Sequence, residues 1–358
     1  MTFTLSEEQR LLKDAARDFF QDQAPVSRLR KLRDEKKNGR DPDLWREMAA
    51  MGWAGIIVPE AFGGSGLGYV GMGLVLEQAG RTLTASPLHS SALTCASALL
   101  LAGTQAQKER WLPKIATGEA IGALAVDEGA HHAPDKSTLK VSGGKISGAK
   151  SYVAEGHIAD LFIVVGGDGL YLVRSDAKGM RRRELLTVDS RGAADLTFDD
   201  ADAERMEGGA VAIDAVLDRA RIGLAAEMLG QAQEAFEITS EYLKTRKQFG
   251  QVIGGFQALQ HRAAKLFTEL ELTRSCVFAA LDALDRDDAR IPEYASLAKG
   301  RASETLHLAS NEMVQLHGGI GMTDAHDAGF YLKRARVAEA LYGGASFHRD
   351  RYARLLGF

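Results

Sequence analysis

Two glycine-broken stretches in the second half of the chain carry the side chains best suited to holding an anionic ligand. In KTRKQFGQVIGGFQ (Lys244 to Gln257), Arg246 offers a guanidinium fork for phosphate, Phe249 an aromatic face and Gln257 an amide. The plainer reading is a solvated helix end with a basic cap, and both readings stay open on the residues alone. In QLHGGIGMTDAHD (Gln315 to Asp327), a glycine-rich break leaves main-chain amides that can face a phosphate. A third stretch, EALYGGASFHRDR (Glu339 to Arg351), places two glycines after a helix, where glycine commonly serves as a C-cap. The same turn could wall an active site, yet it carries no acid or base.

Other motifs point away from chemistry. Gly66, Gly68 and Gly71 spell G-x-G-x-x-G, but their surroundings are helical and no acid stands about 20 residues on, as a dinucleotide site requires. They read as a connection between helices. The nine histidines include His131, His132, His307, His317 and His326. None has zinc-type spacing with Cys or carboxylate partners, so they read as structural or surface residues and no metal site is expected.

The elements that must position these stretches fall into three segments. Residues 1–120 read as an N-terminal helical domain, with a Ser6/Gln9 capping box and a helix started by Asp41 and Pro42. Apolar periodicity predicts further helices over about 70–83, 88–101 and 105–117. Residues 121–207 switch to short Val/Ile/Leu/Tyr runs separated by Gly and Asp, a small antiparallel β domain. Residues 208–358 return to long helices, over about 213–242, 259–277, 293–316 and 326–341, which predict a four-helix bundle. Helices, then strands, then a bundle is an α+β order.

Composition narrows the functional classes. A net charge of −4 gives no footprint for nucleic acid or an anionic membrane. The N-terminal residues lack the apolar core of a secretory signal, and the longest apolar run, Ala92 to Gly103, is shorter than the ~18 residues of a membrane span. Cys95 and Cys276 lie far apart and fit reduced core thiols, so a cytoplasmic location is expected.

Four stretches together resemble the acyl-CoA dehydrogenase family, in family order: MGWAGIIVPEAFGGSGLG, GTQAQKERWLPKIATGEAIGALAVDE, RKQFGQVIGGFQ and QLHGGIGMT. The resemblance covers nearly the whole chain. It implies FAD between a middle β domain and a C-terminal bundle, a tetramer built as a dimer of dimers, and an electron-accepting flavoprotein. The implied reaction is α,β-dehydrogenation of an acyl-CoA: a base takes the Cα proton while a hydride leaves Cβ for the flavin. By matching position, Arg246, Gln248, Phe249, Ile253 and Gln257 would contact FAD, and Gln315, Gly318 and Gly319 would hold its adenine–diphosphate end, across a dimer interface. Val126 and Tyr152 would face the flavin; Arg221 and Gly343 would lie at the substrate.

The same register exposes departures. Where the family places its usual base, this chain has Gly343, followed by Gly344 and by Ala345 in place of a flavin-contacting Thr. The alternative base position, before Arg221, is Ala220. The flavin loop reads DEGAHHAP (Asp127 to Pro134), and the Trp-x-Thr beside the flavin is Tyr152, Val153, Ala154. Replacement bases are conceivable at Glu339, one turn before Gly343, and at Glu227, two turns beyond Ala220. Three readings follow: a base-lacking subunit that completes a partner's FAD site in a heterotetramer, a self-sufficient homotetramer with a relocated base, or a non-enzymatic scaffold. A flavin-dependent oxidase or monooxygenase on the same fold is a further alternative.

Overall fold

The computed structural model describes residues 4–358. Helix α1 (Glu7–Gln23) begins at the expected box: Gln9 N–H donates to Ser6 Oγ, and Gln9 Oε1 accepts from Ser6 N–H. Helix α2 (Val26–Asp34) follows, absent from the sequence reading. Asp41 caps α3 (Pro42–Ala50), its Oδ1 accepting from Leu44 N–H. Gly68 opens α4 (Gly68–Arg81), which places Gly71 inside its first turn, with a 3₁₀ turn (Glu60–Phe62) before it instead of a strand. The helix expected over 88–101 divides into a π-helical stretch, Leu88–Cys95, and α5 (Ala96–Ala102). Helix α6 (Gln105–Ala116) starts from a second capping box, Thr104 with Gln107.

Strands β1 (Gly122–Ala125), β2 (Lys140–Ser142), β3 (Lys145–Ala154), β4 (Leu161–Val165), β5 (Leu170–Arg174), β6 (Met180–Leu186), β7 (Gly192–Asp202) and β8 (Glu204–Arg205) form two four-stranded sheets, ordered β1-β4-β5-β8 and β2-β3-β7-β6. All pairs are antiparallel except β1 with β4, which run parallel with Gly122 opposite Leu161. Gly143 and Gly144 turn the β2–β3 hairpin with φ of +56° and +74°, the two positive angles a tight two-residue turn demands. Inward-facing residues of both sheets, among them Phe162, Val164, Ile146, Leu196 and Phe198, share one buried cluster. The sheets therefore pack face to face, while β6 leaves most of its outer residues exposed.

Helix α7 (Gly209–Thr245) is followed by a small hairpin, β9 (Lys247–Gln248) and β10 (Gln251–Val252), and by α8 (Gln257–Asp285), α9 (Ile291–His317), α10 (Ala328–Ala340) and α11 (Ala345–Leu355). Helix α9 packs against α8, α10 and α11. Cys95 is buried in the π-helical stretch, and burial pushes its thiol far above the usual range; Cys276 on α8 is only half-buried, not the core thiol expected. Compactness does not follow the three sequence segments. Residues 4–28, Gly73–Thr84 and Leu224–Phe358 form one unit, and Leu29–Met72 with Ala85–Gly223 form another.

Candidate active site

The expected site residues divide between the two units, and each set has its own chemistry. In the helical unit, Leu243, Ile253 and Leu316 share a buried cluster that joins the end of α7, the β9–β10 hairpin and the end of α9. This packing brings the two glycine-broken stretches together. Arg246 N–H donates to Tyr242 O, and Ile253 N–H to Arg246 O, which folds the hairpin back on its helix. Arg246, Gln248, Gln257, Gln315, Gly318 and Gly319 are exposed around it. Phe249 is 91% exposed with φ +53°, a left-handed conformation that is costly for an aromatic residue. A Cβ at Gly318 or Gly319 would meet nothing within 4 Å, so their main chain is open to an approaching group. Ile253 differs from the expectation of a contact residue: it is buried and supports the platform from beneath.

His317 lies behind Gly318. Its Nδ1–H donates to Met313 O at 2.7 Å, and its ring packs in tilted contact with Tyr242, 4.4 Å between centroids, and with His326, 4.3 Å. Burial lowers its pKa, with nearby His326 adding to the effect, so the ring is a neutral spacer. Exposed guanidinium, amides, glycine N–H groups and an outward aromatic ring form a donor set that suits a diphosphate bearing an aromatic base.

At the turn after α10, the left-handed capping residue is Tyr342 (φ +58°), not a glycine; Gly343 follows at φ +101°, and Gly344 is the extended N-cap of α11. Lys299 fixes this turn from α9. Its fully buried Nζ donates to Gly343 O at 3.0 Å, Glu339 O at 3.2 Å and Ser303 Oγ at 3.2 Å. Glu339 accepts from Arg336 Nη1 at 2.5 Å and lies 3.1 Å from His307 Nδ1, lining an open groove of about 580 Å³ with Gly344 and Ala345. Glu227 is placed differently. It is 3% exposed, and its carboxylate accepts from Arg334 Nε and Nη2 at 3.2 and 3.0 Å and from Gln231 Nε2 at 3.0 Å.

In the unit that contains the sheets, β3 slips register between Lys150 and Val153, and this bulge holds Tyr152 at φ +53°, 61% exposed. Its N–H donates to Asp195 Oδ1 at 3.1 Å. Val126 is buried and its carbonyl accepts from Lys150 Nζ at 2.7 Å. Lys150 also pairs with Glu128 Oε1 at 2.9 Å. Burial lowers the Lys150 pKa. Burial also opposes ionisation of Glu128, but hydrogen bonds from Ser137, Thr138 and Lys150 outweigh it and hold this carboxyl at about 2.

Sequence reasoning set His132 aside, and the structure gives it a central place in the DEGAHHAP loop. Asp127 flanks its Nδ1, with both carboxylate oxygens at 3.1 Å, and Arg221 Nη2 stands 3.1 Å from Nε2. Arg221 is 1% exposed and pairs with Asp218 at 2.9 Å. An Nδ1–H can donate to Asp127 while Nε2 accepts from Arg221, so the ring has a partner on each nitrogen. Arg221, expected at the substrate, is thus buried and committed to protein partners. The pair spans 89 residues, beyond any local sequence signal.

Residues 6–119 match the family described as acyl-CoA dehydrogenase, N-terminal domain, and residues 207–357 match its C-terminal domain. Acyl-CoA dehydrogenase IpdE2 of Mycobacterium tuberculosis is 33% identical over 340 residues, 94% of each chain. Among solved structures, a variant of the Tcur3481-Tcur3483 steroid ACAD is 33% identical with a TM-score of 0.92, over 99% of this chain and 98% of the other. The ChsE4-ChsE5 complex from Mycobacterium tuberculosis is 26% identical with a TM-score of 0.92, over 99% of both. No helix among the described residues is long and apolar enough to cross a membrane. The chain belongs to the acyl-CoA dehydrogenase family of FAD-dependent oxidoreductases acting on CH–CH groups.

Proposed function

We propose that this chain is the base-lacking subunit of a cytoplasmic heterotetrameric acyl-CoA dehydrogenase, and that it completes the FAD site of a partner subunit. The observation that carries this reading is a contrast. The bundle-end platform around Phe249 and Gly318 is built and exposed, whereas the turn that would hold the base has Gly343 at φ +101°. The loop that would serve this chain's own flavin is tied by His132 to buried Arg221. Similarity to the ChsE4-ChsE5 complex and to the Tcur3481-Tcur3483 steroid ACAD supports a heteromer acting on a CoA thioester with a bulky acyl group.

When bound in this assembly, FAD would supply the hydride-accepting and electron-transfer chemistry that α,β-dehydrogenation requires. Arg246 would hold the diphosphate, Gln315 with the Gly318 and Gly319 amides would hold the adenine–diphosphate end, and Phe249 would offer its aromatic face to the cofactor. The Cα proton goes to a carboxylate of the partner. Val126 and Tyr152 remain as the vestige of this chain's own flavin contact.

Purifying the chain alone and with candidate partners, then recording flavin absorbance and acyl-CoA-dependent dye reduction, tests the reading. Colour and turnover are expected only in the mixed complex. Full turnover by the chain alone would refute it. A self-sufficient homotetramer has one observation in its favour, that Glu339 lines an accessible groove; Glu339→Gln would then abolish turnover with FAD retained. A chain that stays colourless with every partner would point to a scaffold.

A further inference from the structure

Strand β6 closes one edge of the sheet ordered β2-β3-β7-β6. Hydrogen bonds at its two ends show which of its main-chain groups are used. Asp199 N–H donates to Gly179 O at 2.9 Å, and Thr187 N–H to Arg191 O at 3.2 Å. With Met180 opposite Phe198 and Leu186 opposite Gly192, these bonds turn the odd-numbered residues of β6 toward β7. The main chains of Arg182, Glu184 and Leu186 therefore face away from the sheet. All three residues are exposed, and among the described residues no loop or side chain bonds their N–H or C=O groups. Asn38 Nδ2 donates to Leu185 O at 3.3 Å, yet Leu186 beside it stays 70% exposed.

An open edge is a template for pairing with another chain, and charges on it usually block that. On β6 the charges are ordered so that they pair instead. Residues 180, 182, 184 and 186 share the face that carries Phe198 and Leu196 on β7, and they read Met, Arg, Glu, Leu. Laid antiparallel to a second copy with Arg182 opposite Glu184, this row meets itself as Met–Leu, Arg–Glu, Glu–Arg and Leu–Met. The two central pairs face each other through outward main chains, so each exchanges two N–H···O bonds. A slip of two residues either way puts Glu184 opposite Glu184 or Arg182 opposite Arg182, like charges that oppose pairing.

The side chains are free to make these contacts. Arg182 Nη1 donates to Gly156 O and Ala159 O at 3.2 and 3.0 Å, which leaves Nε and Nη2 for a facing carboxylate. Glu184 makes no hydrogen bond among the described residues, and burial holds the nearby His157 toward its neutral form. On the other face Arg183 falls opposite its own copy, and Asp195 pairs with each across the ladder. Arg181 falls opposite Leu185, so its two copies stand about 14 Å apart, beyond the ~8 Å screening length at physiological salt.

We propose that β6 is a self-recognition edge, through which two copies of this chain pair antiparallel about a two-fold axis at Arg183. The contact is small, so the dimer is weak, and it rests neither on FAD nor on the assignment of the catalytic base. Two charge reversals in the full chain test it. Glu184→Arg and Arg182→Glu each set like charges opposite one another, so either chain alone should self-associate roughly tenfold more weakly in sedimentation velocity. An equimolar mixture restores both pairs and should recover the wild-type dimer. Arg182→Glu also gives up the bonds to Gly156 O and Ala159 O, so a second measurement leaves Arg182 in place. Arg183→Cys, on the axis, should form a disulfide-linked dimer on mild oxidation, whereas Arg181→Cys should not. Association unchanged in both reversals, a mixture no better than its components, or equal cross-linking at 181 and 183 would overturn the pairing. Amide exchange at Arg182 and Glu184 that slows only when a different subunit is added would give the edge to that subunit, and would overturn it too.

Discussion

Phe347 occupies the space that a side chain on Gly343 would need. A Cβ built at Gly343 lies 2.5 Å from Phe347 Cδ1 and 3.0 Å from its Cγ, and the glycine sits at φ +101°. On the proposed reading, in which the family's base would stand at this position, a carboxylate here is not one substitution away. Backbone conformation and packing both disfavour it.

Restoring the family residue by Gly343→Glu should destabilise the chain without giving it activity. Left-handed strain costs about 1–3 kcal/mol. Overpacking against Phe347 costs about another 1–3 kcal/mol. Adding Phe347→Ala should relieve the second cost and leave the first. Urea denaturation of the single and double variants separates them, and a Gly343→Glu chain as stable as the wild type would contradict the assignment.

Glu227 and Arg334 form a buried pair, 3% and 6% exposed, at 3.0 Å. Glu227→Gln would remove a charged partner from a buried guanidinium, at a cost of up to about 3–5 kcal/mol. Replacing both residues with apolar ones, Glu227→Leu with Arg334→Met, should cost much less than the sum of the two singles. A double-mutant cycle by denaturation measures this. Lost activity in Glu227→Gln is evidence for a base only where folding is intact.

The bundle-end platform predicts the opposite profile. Phe249 and Arg246 are exposed, so Phe249→Ala and Arg246→Gln should change the stability of the isolated chain by no more than about 0.5 kcal/mol. In the assembled complex each should release FAD. For Arg246 a charged hydrogen bond of about 1.5–3 kcal/mol corresponds to roughly 10- to 150-fold weaker retention. Flavin fluorescence after gel filtration reads it. Unchanged retention in both variants would remove the platform from the cofactor site.

Features set by neighbours in sequence were legible: the Ser6/Gln9 box, Asp41 ahead of Pro42, and the Gly143–Gly144 hairpin. Thr104 with Gln107 carried the same local signal and was overlooked. Features set by distant packing were not legible. Nothing near His132 in sequence announces Arg221, and nothing near Gly343 announces that Lys299, on another helix, binds its carbonyl. Resemblance to a family set the expected base position at Gly343; the positive φ there and the Phe347 ring against it are set by backbone and packing that the resemblance does not show.

Acid should weaken the sheet-containing unit through Glu128. Its folded pKa of about 2 lies below the ordinary carboxylate value near 4.5, despite the burial that opposes ionisation, because Ser137, Thr138 and Lys150 bind the ionised form. A carboxyl depressed on folding contributes stability that is present above the unfolded pKa and is lost as pH falls through the folded one. The window is therefore about pH 4.5 down to 2. Lys150 stays protonated throughout it, so the change belongs to Glu128. Glu128→Gln removes the titration together with the ion pair to fully buried Lys150, and lowers stability at neutral pH. The gap between wild type and variant should close as pH drops across the window, followed by urea denaturation at stepped pH. A gap that stays constant down to pH 2 would show that Glu128 does not carry the acid sensitivity.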